Sequence, residues 1–244
     1  MDTRTVEVDT PHGPMPVYEA IPRSPKGAVV VIQEVFGVTE HIEDVARRAA
    51  DAGFHAMAPA LFHREGSPKL SYADFSAVMP YMAKVNDETV MTDVDATVAH
   101  LNSQGWGTPQ IGLVGFCFGG RISFLVATAR PLGACVGFYG GGIVSPRFPH
   151  FPSLVERAAD LKSPWLGLFG STDDSIPLED VERIRTELDA NTSVPHEVVV
   201  FEGAGHGFHC DARPQHYNEQ AAKEAWQRTV EFLDTHLTTV PENA

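Results

Sequence analysis

The stretch Ile111–Gly120, with the sequence IGLVGFCFGG, decides the fold of this chain. Its first six residues form an apolar run, which is typical of a strand covered on both faces. The G-x-C-x-G pentapeptide Gly115–Gly119 follows, and a helical pattern starts at Arg121. Such a strand–turn–helix corner predicts that Cys117 is raised above the sheet as a nucleophile. A core cysteine that merely fits a tight turn is the alternative interpretation.

Strand and helix patterns alternate along the rest of the chain. Strand patterns occur at residues 6–8, 15–19, 28–33, 55–58, 111–116, 134–139, 165–169 and 196–201, and helical patterns at 41–52, 70–100 (two), 121–129, 178–188 and 217–237. The first two strands predict an antiparallel pair around a Pro/Gly turn. The remaining alternation predicts an α/β fold with a mostly parallel, doubly wound sheet and helices on both faces. No repeat or linker-like segment interrupts the pattern, so we expect residues 1–244 to form a single domain.

The carboxyl ends of the strands are the expected ligand-binding edge, because open α/β sheets bind ligands beyond these ends. This rule selects five segments of the chain, at residues 34–37, 116–120, 139–142, 170–174 and 203–208. The candidate site residues below all lie in these segments.

Composition excludes several classes of partner. The formal net charge of −14 disfavours binding to nucleic acid or to an anionic membrane. Three cysteines without regular spacing do not make a disulfide framework. The N-terminus has no apolar core typical of a secretory signal, and no apolar run approaches the roughly 20 residues of a membrane helix. We therefore expect a cytoplasmic protein.

Two later segments supply partners for a nucleophilic thiol. A thiolate at a helix N-terminus is favoured by the helix dipole, and it needs a base that a carboxylate orients. Asp173 and Asp174 follow the strand pattern 165–169, and we favour Asp173 because it leaves the strand end first. Asp is also common in turns and at helix N-termini, which is the structural alternative.

His206 is the candidate base, because it lies between glycines just after the strand pattern 196–201. His209 is its competitor. The chain order of cysteine, acid and histidine is that of known nucleophile–acid–base triads on α/β folds. A zinc site made of His206, His209 and Cys210 is disfavoured because no second Cys or His pair completes it. We therefore expect no metal at this site.

Glu34 ends the apolar run 28–33 at the predicted ligand edge. It is either a helix-capping or exposed strand-end carboxylate, or part of the site, with the Val35 amide as a second oxyanion donor beside that of Phe118. A carboxylate near the thiol opposes thiolate formation, whereas the helix dipole and His206 favour it. Both outcomes stay open, including a thiol that remains protonated until substrate displaces Glu34.

An ordered set of motifs resembles the dienelactone hydrolase (carboxymethylenebutenolidase) family of the α/β-hydrolase superfamily over nearly the whole chain. These motifs are QEVFGV at 33–38, APALFHR at 58–64, GFCFGG at 115–120, GxxDxxIP at 170–177, GAGHGF at 203–208 and ARPQHYN at 212–218.

The resemblance implies a Cys117–His206–Asp173 triad that opens a small ester or lactone through an acyl-thioester, without a cofactor. It further implies that Glu34 lies against the thiol, that the Val35 and Phe118 amides bind the oxyanion, and that Phe36 and Tyr139 line the substrate pocket.

The sequence departs from the family where arginines hold the substrate carboxylate. One such arginine is expected four residues after the catalytic histidine, where this chain has Cys210, and no arginine lies between Leu70 and Gly115. The nearest cations to motif residues are Arg64, Arg121 and Arg213, and Arg121 is expected to be structural. The fold and the chemistry are therefore better predicted than the substrate.

Two other functions are considered. One is a general carboxylesterase or thioesterase of the same fold. The other is a non-catalytic protein in which Cys117 senses oxidants. A sensor does not require Asp173 and His206 in triad order, and this argues against the second.

Overall fold

The computed structural model describes residues 1–238, in which eight strands form one sheet. The strands are β1 (Asp2–Thr10), β2 (Gly13–Ile21), β3 (Gly27–Ile32), β4 (Phe54–Pro59), β5 (Ile111–Phe116), β6 (Ala134–Phe138), β7 (Trp165–Gly170) and β8 (His196–Phe201). The α-helices are α1 (Glu40–Asp51), α2 (Met79–Met82), α3 (Asp87–Ser103), α4 (Phe118–Ala129), α5 (Leu178–Asn191) and α6 (Glu219–His236).

The strand order is β1-β2-β4-β3-β5-β6-β7-β8. β1 pairs antiparallel with β2, and β2 pairs antiparallel with β4. The pairs from β4 to β8 are all parallel. Every residue of β3 to β7 is buried, so helices and loops cover both faces of the central sheet. The predicted α/β fold with a mostly parallel, doubly wound sheet is confirmed.

The helix after the elbow begins earlier than its sequence pattern indicates. α4 starts at Phe118, so Gly119 and Gly120 lie inside its first turn rather than before it. A Cβ on Gly119 would lie 2.4 Å from the Ile32 carbonyl oxygen, and one on Gly120 would lie 2.4 Å from the Phe138 carbonyl oxygen. These glycines serve the close packing of α4 on β3 and β6, although glycine is a poor helix former.

Residues 70–100 contain one long helix instead of the two predicted. The second pattern is α3, whose first turn is closed by a capping box between Asn86 and Thr89. The first pattern forms only a 3₁₀ turn at Phe75–Val78 and the single turn of α2. Pro80 fits the first turn of α2 but lacks the N–H that a longer helix would need. This short segment lies at the site described next.

None of the helices within residues 1–238 is long and apolar enough to cross a membrane.

Candidate active site

Cys117 stands at the corner between β5 and α4 in a strained backbone conformation. Its φ is 55° and its ψ is −109°, a region that residues with a side chain rarely adopt. The conformation is held by the Cys117 amide, which donates to the Phe138 carbonyl at 3.0 Å. A Cβ on Gly115 would lie 1.9 Å from the Gly119 carbonyl oxygen, so only glycine fits at this position. The sharp corner leaves the side chain of Cys117 partly exposed.

His206 and Asp173 lie in line with this thiol. The Nε2 atom of His206 is 3.1 Å from the Sγ atom of Cys117, and its Nδ1 atom is 2.8 Å from Oδ2 of Asp173. The three residues follow the carboxyl ends of β5, β7 and β8, with β6 lying between β5 and β7 in the sheet. The structure thus brings together the three residues that the sequence nominates as a triad.

The loop after β7 fixes the Asp173 carboxylate. Its Oδ1 atom accepts hydrogen bonds from the Ser175 amide at 2.9 Å and from the Ser175 hydroxyl at 2.6 Å. The Ser175 hydroxyl also lies 3.1 Å from Nδ1 of His206. Asp174, the alternative acid, is exposed, whereas the side chain of Asp173 is only 1% exposed.

The electrostatics of the His206–Cys117 pair favour a charged imidazole. Burial disfavours the imidazolium, but the negative charge of Cys117 and the hydrogen bond to Asp173 outweigh it and raise the pKa of His206 to about 10. Burial alone would raise the pKa of Asp173, but the hydrogen bond and charge of His206 hold that pKa below its usual value. With its pKa raised, the His206 imidazole favours its charged form beside the sulfur of Cys117.

His209, the competing histidine, is buried away from the thiol. Its ring packs on Phe116 and Phe138, with centroids 5.2 and 5.0 Å away. Burial, reinforced by the nearby charges of His41 and Arg48, lowers the pKa of His209 to about 3. This histidine is therefore neutral and part of the core.

Cys210 does not complete a metal site with the two histidines. Its thiol is buried, and burial together with the charge of Glu34 raises its pKa to about 12. Within residues 1–238, no group of three or more His, Cys, Asp or Glu side chains is arranged to hold a metal ion.

Tyr139 packs against the imidazole of His206. Its ring is fully buried and meets the His206 ring edge-on at a centroid distance of 5.2 Å. Its φ of 37° is strained, and its hydroxyl has no hydrogen-bond partner among the described residues. Tyr139 is not among the side chains that line the cavity described below, whereas Phe36 is.

Glu34 is buried at the end of β3, with 1% of its surface exposed. The Tyr72 hydroxyl donates to its Oε2 atom at 3.1 Å, while Oε1 has no partner among residues 1–238. Burial and the charge of Glu34 both raise the pKa of Tyr72, which keeps this hydroxyl a donor. No hydrogen bond in the described part of the chain joins Glu34 to Cys117. The carboxylate is therefore held by Tyr72, and it is not among the side chains that line the cavity described below.

Val35 and Phe118 flank the thiol on the cavity surface. Phe118 is the first residue of α4, and the first amides of a helix have no partner within it. Val35 follows β3, against whose end the elbow packs through Gly119. The Val35 amide belongs to the segment after β3 and the Phe118 amide to the first turn of α4, and these two segments meet at Cys117.

A cavity of about 420 Å³ opens over the thiol. Its polar lining comprises Cys117, Ser175, His206, Arg121, Arg147 and Arg213. No acidic side chain of the described residues lines it, although the whole chain carries a net charge of −14. The remaining lining is apolar or glycine.

The three arginines of the cavity differ in their partners. Arg121 is structural, as expected, because its guanidinium donates to Asp87 at 2.5 and 3.1 Å and to the Pro152 carbonyl at 2.8 Å. Arg147 and Arg213 form no ion pair with any carboxylate in residues 1–238. Arg213 lies over the Phe36 and Tyr72 rings, 5.7 and 5.4 Å from their centroids.

Sequence reasoning missed Ser175 and Arg147. Ser175 follows Asp173 by two residues, the spacing of a side-chain turn, and this local signal could have found it. Arg147 lies in a Pro-rich loop with no motif, so its position at the cavity becomes visible only in the fold.

The chain is similar to known proteins along most of its length. The model of the dienelactone hydrolase family matches residues 15–237. A Salmonella typhimurium protein named "Putative carboxymethylenebutenolidase" is 43% identical over 226 residues, or 90% of this chain and 82% of that protein. A Rhodococcus opacus protein named "Carboxymethylenebutenolidase" is 30% identical over 234 residues, or 94% of this chain and 90% of that protein. A crystal structure titled "Putative Dienelactone Hydrolase", from Klebsiella pneumoniae, has a TM-score of 0.86 and 37% identity, covering 96% of this chain and 99% of that one.

Proposed function

Because this chain belongs to the dienelactone hydrolase family, we propose that it hydrolyses small esters or lactones with Cys117 as the nucleophile. His206 is the general acid and base, and Asp173 orients the imidazole. The observation that carries this proposal is the alignment of the three side chains, at 3.1 Å from sulfur to Nε2 and 2.8 Å from Nδ1 to Oδ2.

In the acylation step, the Cys117 thiolate attacks the carbonyl carbon and a carbon–sulfur bond forms. The amides of Phe118 and Val35 stabilise the negative charge that develops on the carbonyl oxygen. The carbon–oxygen bond to the leaving group then breaks, and the His206 imidazolium gives its Nε2 proton to the departing oxygen. In a lactone both products stay in one molecule, as an acyl-thioester with a free hydroxyl or enol.

In the deacylation step, His206 is neutral and accepts a proton from water at Nε2. The resulting hydroxide attacks the thioester carbon, the carbon–sulfur bond breaks, and Cys117 leaves as a thiolate. Asp173 fixes the imidazole throughout by holding the proton on Nδ1 and by stabilising the imidazolium. The carboxylic acid product then releases its proton to solvent and leaves as a carboxylate, and the thiolate and imidazolium are restored.

The charge of the cavity suits an anionic substrate or product. Arg147 and Arg213 bring two guanidinium groups that have no carboxylate partner within residues 1–238, and planar guanidinium groups bind carboxylates well. Arg213 lies beside the loop of His206, with its Nη1 atom 3.2 Å from the position that a Cβ on Gly207 would occupy. We therefore assign Arg213 to the binding of a substrate carboxylate, in place of the arginine that the family pattern puts at position 210.

Activity assays on two variants test the proposal. Cys117→Ala and His206→Ala are each expected to lower kcat on an aryl acetate by more than about 10³-fold, because the triad acts as a unit. His209→Ala is the matched control among histidines of the same loop, checked first for folding because this residue is buried. Unchanged hydrolysis in both triad variants would remove the assignment.

A further inference from the structure

The cavity carries two separate groups of aromatic side chains. In the first group, the Phe36 and Phe75 rings have centroids 6.3 Å apart. In the second, the Phe151 ring packs against Phe118 at 5.4 Å and against Phe148 at 6.2 Å. All five line the same cavity as Cys117. A substrate that reaches the thiol is therefore flanked by aromatic rings.

The cavity mouth exposes apolar surface that the fold itself does not bury. Phe75 is 52% exposed and Met79 is 47% exposed, and among the large apolar side chains of residues 1–238 only Met1 and Leu178 are comparably exposed. They lie four residues apart on the short 75–82 segment, and both line the cavity. Single exposed apolar residues are ordinary on a protein surface. A pair at the mouth of a catalytic cavity instead adds apolar contact for a bound molecule.

The chemistry of a thiol nucleophile restricts the leaving group. A thiol has a pKa near 8.5, so sulfur leaves the tetrahedral intermediate far more easily than an ordinary alkoxide does. A phenol has a pKa of about 10, close to that of the thiol, so a phenolate competes with sulfur for departure. Attack by Cys117 on a phenyl ester therefore proceeds forward more readily than attack on an alkyl ester, whose leaving oxygen depends more on the Nε2 proton of His206.

From these observations we propose that the enzyme acts on aryl esters and binds the ring of the leaving phenol between the two aromatic groups. This inference rests on the proposed function, because it names the substrate class of the same site. Edge-to-face contacts favour an aromatic ring over an alkyl group of equal size. The cavity volume of about 420 Å³ lies in the range of sites that hold small organic ligands.

The step balances without a further reactant. The Cys117 thiolate forms the carbon–sulfur bond, the carbonyl carbon loses the phenolate oxygen, and the phenolate takes the Nε2 proton of His206. Water then supplies one oxygen of the acid product and returns one proton to the imidazole, and the second proton of water passes to solvent when the carboxylic acid ionises. The products are a phenol and a carboxylate.

Phenyl acetate and 2-naphthyl acetate provide the test, because they share one acyl group and both release a phenol. The second ring adds roughly 50 Å² of apolar surface, so the wild type should show about tenfold higher kcat/KM for the naphthyl ester. Phe75→Ala and Met79→Ala should each reduce this preference about threefold. Leu178→Ala is the matched control, since Leu178 is also 46% exposed but does not line the cavity.

The outcomes separate the two proposals. The inference is overturned if the ratio of kcat/KM for the naphthyl ester to that for the phenyl ester is near one, or if Leu178→Ala alters this ratio as much as the cavity variants do. If hydrolysis still requires Cys117 in that case, the proposed function stands. Hydrolysis that survives Cys117→Ala overturns the proposed function instead. Fluorescence titration with 2-naphthol, and competition by phenol, then measures binding to the cavity without any reaction. About tenfold tighter binding of 2-naphthol than of phenol, weakened in Phe75→Ala, supports the aromatic site. Equal affinities for the two phenols refute it.

Discussion

Removal of the Cys117 side chain should lower the pKa of His206 by a measurable amount. The negative sulfur is the largest influence that raises this pKa to about 10. Two unit charges at the observed 3.1 Å interact by about 5 kcal/mol at an effective dielectric constant of 20. The imidazole is 22% exposed, so solvent screening reduces this figure. We expect the pKa to fall by about 2–3 pH units in Cys117→Ala, since 1.36 kcal/mol corresponds to one unit.

Titration of histidine side chains by NMR measures this change directly. In the wild type the imidazolium of His206 should persist from pH 7 to pH 9 and be lost as the pH rises through about 10. In Cys117→Ala it should be lost at a clearly lower pH, and Cys135→Ala, which changes a buried cysteine of β6, should leave it unaltered. A His206 that titrates near 6.5 in the wild type, or identically in both proteins, refutes the ion pair.

Three further changes test separate parts of the account. Asp173→Asn should lower kcat by about 10²–10⁴-fold at little cost in KM, whereas the neighbouring Asp174→Asn should leave steady-state kinetics unaltered. Gly119→Ala puts a Cβ 2.4 Å from the Ile32 carbonyl oxygen, so urea denaturation should show at least about 2 kcal/mol less stability, and an unchanged midpoint argues against this packing. Arg213→Gln should raise KM for a carboxylate-bearing aryl ester about tenfold more than for its methyl ester; equal effects contradict the carboxylate assignment.

The elbow and the sheet were accessible from sequence because their signals are local. A buried parallel strand shows as a continuous apolar run, and the corner at Cys117 requires small residues at fixed offsets. The order of Cys117, Asp173 and His206 predicted that they meet, because parallel strands bring their carboxyl ends to one edge. The sequence already favoured His206 over His209, but the ring packing that places His209 in the core becomes visible only in the fold.

The cavity was less accessible because its chemistry depends on tertiary partners. Arg121 and Arg147 look alike in the sequence, yet Asp87 neutralises the first and no carboxylate in the described residues pairs with the second. The apolar mouth arises because the 75–82 segment folds into short turns, whereas its pattern favoured a longer helix. Neither the different partners of the two arginines nor the apolar cavity mouth can be predicted from the few residues around them in the sequence.

The central claim is that the sulfur of residue 117 carries the acyl group during turnover. Rapid acid quenching of His206→Ala mixed with an aryl acetate, followed by digestion and mass spectrometry, tests it, because loss of the general base should slow hydrolysis of the thioester more than its formation. We predict an acetyl group on Cys117, with the same peptide unmodified in Cys117→Ala. An acetyl group on another residue that forms and decays at the rate of turnover would contradict the account.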